Sequence, residues 1–191
     1  MTTMMEVLPR GKDVLGYRVV SVETEYINRP SSAHLCGKVS VAIASQNRAP
    51  AASTRVVLAP GGQSGQGQAV VSYSYSEDDA VGVMKAIRAA IPNCTHYNSW
   101  YADLYTRHGL RPAQSPYRVG DETIRYRQLG PPPNDKDAGG SPVPLEPGPL
   151  QEPGKTITVV RTGGVITQYL DPVPKAVAED IGNRFRRAAA D

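Results

Sequence analysis

The 191-residue chain contains one Phe, one Trp, three His and two Cys. Its apolar stretches reach about five to seven residues, far below the ~20 that a membrane-crossing helix needs, so no spanning helix is expected. His34, His96 and His108 lie far apart and match neither HExxH nor paired CxxC spacing, which argues against a structural zinc or iron site. The glycine-rich stretch Gly61 to Gly67 lacks both the GKS/T ending and the GxGxxG spacing of a phosphate cradle, so it reads as a flexible connection. Twenty-one basic residues against eighteen acids leave a net charge of +3, scattered along the chain without a basic stripe. Nucleic acid is therefore not an expected partner, and no cofactor is expected either.

The elements that are present point to an α+β fold: an antiparallel sheet of about six strands with two main helices packed on it. The length suits one domain over residues 14–191, preceded by a flexible N-terminal segment over 1–13. Val14 to Glu23 alternates as a strand, and Thr54 to Ala59 with Gln68 to Tyr75 form a second and third joined by the Gly61 to Gly67 loop. Ser76 then caps an acidic first turn, Glu77-Asp78-Asp79. Ala80, Val83, Met84, Ile87 and Ile91 recur at helical spacing until Pro92. A short helix is expected around His34 and Cys36, while Asn98 to His108 fits a helical face and a strand equally well.

Further along, Ser115 to Val119 and Glu122 to Leu129 read as strands separated by the turn pair Gly120-Asp121. Gly130 to Gly154 holds eight prolines and five glycines, and so reads as an extended, solvated loop. A flap over a cleft or a polyproline ligand for a protein partner are its functional alternatives. Thr156 to Arg161 and Val165 to Leu170 flank Thr162-Gly163-Gly164 as a hairpin. Asp171-Pro172 opens the last helix, with Val173, Val177, Ile181 and Phe185 every fourth residue and Arg184, Arg186 and Arg187 near its end.

Cys36 and Cys94 stand 58 residues apart and leave two readings open. In an exported chain a bridge between them would stabilise the fold by roughly 4 kcal/mol, whereas in the cytosol they would be two buried thiols. Met1 to Glu6 carry neither a basic n-region nor an apolar h-region. An exported form would therefore need a leader removed ahead of this sequence, and any membrane attachment would run through a removed anchor. Ten tyrosines are the other compositional signal. Tyrosine joins apolar area to a hydroxyl that seeks a partner, which suits a half-wet pocket. Trp100, Tyr101, Tyr105, Tyr117, Tyr126 and Tyr169 are the candidate ligand-binding residues, placed on one face of the sheet to hold a small organic molecule. The competing account is ordinary half-buried strand positions. Asp121-Glu122 would serve as a general acid or base only if burial raised one carboxyl's pKa, and as turn former and strand-edge charge otherwise. No catalytic residue is assigned.

Gly16 to Val19, Cys36, the strand Val70 to Tyr75 leading into an acid-capped helix, Cys94 beyond it, Val119 to Glu122, and Ile157 to Gly164 ahead of a closing helix follow one another in a particular order. That order resembles the extracellular sensor domain of actinobacterial serine/threonine kinases of the PknH type and related secreted lipoproteins, over roughly Leu15 to Ala189. The resemblance implies an antiparallel sheet with packed helices and a cleft for a small ligand, outside the cytoplasmic membrane. It makes a binding or sensor domain without catalytic chemistry the first expectation. The second is a cytosolic, cofactor-independent enzyme of the cyclase type, acting on a natural product in a Tyr-rich pocket by shape and hydrogen bonds.

Overall fold

The computed structural model describes Val7 and residues 15–25, 50–60, 68–94, 97–101, 104–130, 151–170 and 173–190. Among them the chain runs β1 (Tyr17–Glu25), β2 (Ala52–Pro60), β3 (Gln68–Ser74), α1 (Glu77–Asn93), β4 (Tyr97–Tyr101) and β5 (Leu104–Pro112). It continues through β6 (Glu122–Gly130), β7 (Gln151–Thr162), β8 (Val165–Leu170) and α2 (Lys175–Ala190). This is the expected α+β, antiparallel class. The sheet is wider than the expected six strands: seven pair in the order β1-β2-β3-β8-β7-β6-β5. β4 continues the order by pairing with the first part of β5, residues 104–108, while residues 109–112 of β5 pair with β6. The extra width comes from Asn98 to His108, which resolves as a hairpin and not as a helical face.

Each helix covers one face of the sheet. α1 begins where Ser76 Oγ accepts the backbone N–H of Asp79 at 3.2 Å, and three acids occupy its first turn, where the dipole favours them. Its stripe of Ala80, Val83, Met84, Ile87 and Ile91 packs on Leu110, Ile124, Tyr126, Val159 and Ile166. Pro92 lies inside the last turn, where the Asn93 side-chain amide donates to the carbonyl of Ala89 at 2.8 Å. α2 buries Val177, Ala178, Ile181 and Phe185 against Val56, Leu58, Val70, Val160 and Tyr169. Val159 and Val160 are neighbours in β7, yet they belong to different clusters. Because side chains alternate along a strand, the two helices must lie on opposite faces. Each fully buried aliphatic residue of this kind contributes about 1.5–3 kcal/mol. Val7, the one described residue of 1–13, is buried in the α2 cluster.

Three sequence expectations need correction. Residues 115–119 form no strand; Thr123 Oγ1 closes the segment by accepting the Val119 N–H at 2.9 Å and donating to the Val119 carbonyl at 2.6 Å. α2 starts at Lys175, past the expected Asp171-Pro172 start. Val173 precedes a proline, which disfavours the helical region, and the Pro174 carbonyl accepts the first helical N–H groups, from Val177 and Ala178. The proline-rich loop ends earlier than expected, since residues 151–154 already belong to β7. Pro153 and Gly154 fall within the register shift opposite Gln128 and Gly130, where a residue without an N–H is tolerated. The short helix expected around His34 and Cys36 and the body of the loop, 131–150, lie outside the described residues.

Beneath α2, Thr54, Ser72 and Thr167 stand directly opposite one another across β2, β3 and β8, and all three are buried. Ser72 and Thr167 share a hydrogen bond of 3.1 Å, but Thr54 Oγ1 is buried with no partner. An orphaned buried hydroxyl costs roughly 1–3 kcal/mol of desolvation, which a methyl group of the same shape avoids. Thr54→Val should therefore raise the thermal midpoint, by an amount equivalent to about 1 kcal/mol, while Ser72→Val, which removes the buried Ser72–Thr167 hydrogen bond, should lower it. Thermal unfolding followed by circular dichroism distinguishes the two.

Candidate functional site

The six aromatic candidates do not form one wall. Tyr126 belongs to the α1 cluster and Tyr169 to the α2 cluster, so the sheet separates them. Both are almost fully buried, and burial drives the Tyr169 hydroxyl's pKa above its ordinary value, with the nearby Tyr117 adding to the shift and a hydrogen bond with Thr167 opposing it. Tyr117 is half-buried at the edge of the α2 cluster, where its hydroxyl donates to the Val173 carbonyl at 3.0 Å and ties the β5–β6 connection to the entry of α2. Trp100 stands opposite Tyr105 in the β4–β5 register, and Tyr101 opposite Leu104; the side chains of these residues lie outside what is described. Tyr117 and Tyr169 share a face; Tyr126 does not.

What the fold gathers instead is a charge cluster at the β7–β8 turn. Gly163 makes this turn at φ 55°, and Gly164 beside it receives the N–H of Tyr75 just ahead of α1. The Gly120-Asp121 turn leads into β6 at the same end. Gly120 has φ 69°, and a Cβ there would strike the Arg161 carbonyl oxygen and lie 2.6 Å from Val160 Cγ1. Only glycine permits this approach. It lets the Asp121 N–H reach the Arg161 carbonyl at 2.8 Å, while the Asp121 carboxylate accepts the Gly163 N–H at 2.7 Å.

Three carboxylates and three guanidinium groups then meet. Arg186, from α2, reaches Asp121 at 3.3 Å. Arg161, on β7, lies 3.5 Å from Asp121, 3.9 Å from Glu122 and 4.0 Å from Glu77 at the start of α1. Arg88, from α1, pairs with Glu122. The Arg161 side chain is only 13% exposed, and its Nε is buried without a hydrogen bond. The Gly163 N–H holds the Asp121 carboxyl below its usual pKa, with Arg186 and Arg161 reinforcing the effect against a smaller opposing push from burial. That direction is the reverse of what a general acid at this position requires, so Asp121 acts as a fixed anion that fastens the turns and α2 together.

Beside the cluster lies a cleft of about 340 Å³ lined by Arg88, Arg118, Val119, Gly120, Asp121, Glu122 and Thr123. Arg118 is exposed on its rim. Among the described residues no group of His, Cys, Asp and Glu is placed to hold a metal ion. Gly120-Asp121 was visible in the sequence as a turn leading into the strand from Glu122; Arg88, Arg118 and Arg161, from three separate segments, carried no local signal. Cys94 is buried just beyond α1 and is disulfide-bonded. Its N–H donates to the Ile91 carbonyl at 3.3 Å, and its carbonyl accepts the Leu110 N–H at 2.8 Å. The expected partner, Cys36, lies outside the described residues.

Two outcomes follow from this geometry. Gly120→Ala should destabilise the fold by more than about 2 kcal/mol, because left-handed backbone strain adds to the collision with β7; urea unfolding measures it. For Asp121, a folded pKa below the unfolded one means that its stabilisation is present above the unfolded value, near pH 4, and is lost as pH falls through the folded one. Asp121→Asn should therefore unfold at a lower temperature at pH 7 and show a flatter loss of stability than the native chain below about pH 4, read from melting curves across that range.

Comparison with known proteins returns no matching family model, no matching curated protein and no matching solved structure.

Proposed function

We propose that the chain is a small-molecule-binding or sensor-like domain that works outside the reducing cytoplasm and carries no catalytic chemistry of its own. The observation that carries this reading is the disulfide at Cys94. Structural disulfides persist in oxidising compartments and are rare where thiols are kept reduced. The bonded residue is buried at the junction of α1 and β5, a position that supports a structural role over a reactive one. An antiparallel sheet with packed helices also agrees with the architecture implied by the resemblance to the kinase sensor domains and secreted lipoproteins.

The cleft beside the β6 turn is the binding region in this reading. Its walls belong to a cluster fastened to both helices, so it is held in shape before a ligand arrives, which lowers the ordering cost of binding. The cyclase alternative relies on a Tyr-rich pocket, and the burial of Tyr126 and Tyr169 on opposite faces gives that alternative less support than the binding reading.

The test has two parts. Protein exported to an oxidising compartment, denatured without reductant and alkylated, should show no blocked thiols by intact mass; two blocked thiols would sink the extracytoplasmic assignment. The oxidised protein should then be melted against a panel of small organic acids, amines and zwitterions. At least one compound should raise the melting temperature, and Arg118→Ala should abolish the shift. A panel without any shift, or shifts indifferent to Arg118, would overturn the cleft as the binding region.

A further inference from the structure

The charges that line the cleft beside the β6 turn are not all paired. Arg118, exposed on the rim, makes no hydrogen bond or ion pair with any described residue. Asp121 and Glu122 follow it closely in sequence, yet neither recruits it. The Asp121 carboxylate is already met by the Gly163 N–H, Arg161 and Arg186. That of Glu122 is met by Arg88 and, at 3.9 Å, by Arg161. Arginines from β7 and from both helices thus neutralise the acidic wall, and the arginine nearest in sequence is left over. Arg88 engages Glu122 through Nη2 alone, and its side chain is 63% exposed, so its other N–H groups also stand free at the cleft.

One unpaired guanidinium beside an otherwise balanced wall calls for one negative charge. The guanidinium fork presents two parallel N–H groups, which a carboxylate accepts together. A second negative charge on the same ligand would lie near Asp121 and Glu122, where like charge repels it. The Thr123 hydroxyl is engaged with Val119, so beside Arg118 and Arg88 the apolar part of an acid meets the Val119 and Thr123 side chains. A volume of about 340 Å³ is at the small end of ligand pockets, which limits the acid to a short chain or a single ring.

We infer that the cleft takes its ligand through a single carboxylate, with the Arg118 guanidinium as the principal contact and Arg88 as a second donor. This rests on the cleft being the binding region. Butyrate and benzoate are the probes, titrated calorimetrically into the disulfide-bonded protein in low salt, where charge-driven binding is strongest. Their neutral amides, butyramide and benzamide, and the dianions succinate and phthalate are titrated beside them. At least one monocarboxylate should bind, its amide at least about tenfold more weakly, and the matching dianion no more tightly. Arg118→Gln should reduce the acid to the affinity of its amide, while Arg187→Gln, at an exposed position on α2, should change nothing. Since Arg118 holds no partner within the described fold, the Arg118→Gln protein should melt with the native chain, which separates lost binding from lost folding. Equal binding of acid and amide, a dianion that binds about tenfold more tightly, or no binding by either acid would overturn the single carboxylate. An acid that binds Arg118→Gln as well as the native chain would overturn Arg118 as its contact. The cleft itself falls only if the wider panel of acids, amines and zwitterions also gives no shift.

Discussion

Everything in this fold hangs on the register of the β7–β8 hairpin at the middle of the sheet. Val159 and Val160 point to opposite faces and enter separate clusters, and in β8 Ile166 and Tyr169 divide in the same way. A one-residue slip would exchange the two sets and leave both helices facing the wrong side chains. The turn at Gly163 and Gly164 sets the hairpin, with Thr162 opposite Val165. Asp121 then receives the Gly163 N–H, so the same turn also fixes where β6 begins. The cleft beside the β6 turn is thus a consequence of hairpin register: Gly120 can press against Arg161 only if Arg161 lies opposite Glu122.

The charge cluster at that end does a job that apolar packing cannot do there. α1 and α2 lie on opposite faces and do not meet across the sheet, but around its end Arg88 and Glu77 reach in from α1, and Arg186 from α2. Exposed ion pairs each contribute little, and most of these charges are at least one-fifth exposed. Arg161 differs, since it is mostly buried and its cost is offset only while carboxylates surround it. Three cations against three anions leave the cluster balanced, which suits a fastening better than a reacting centre.

Local pattern made much of this legible in the sequence. The α1 stripe, its Ser76 cap, the β7–β8 hairpin and the spacing of Val177, Ile181 and Phe185 are all short-range signals, and the fold uses each of them. What failed to show was whatever depended on pairing between distant segments. β3 meets β8 across a separation of 95 residues, so nothing local marks Ser72 and Thr167 as bonded partners. Tyr126 and Tyr169 looked equivalent by composition, and only strand parity assigns them to opposite faces. The expected strand over 115–119 failed for a nearer reason: the Thr123 hydroxyl supplied Val119 with a local partner that competes with a ladder. Arg111, Arg125 and Arg127 read as scattered charge until two strand registers brought them side by side.

That juxtaposition has a plain structural account. Arginine stems are apolar and can shield a half-covered sheet while their heads stay in water. Leu129 and Thr158, both buried on this face, would benefit from such cover. Shielding explains an arginine at any one of the three positions.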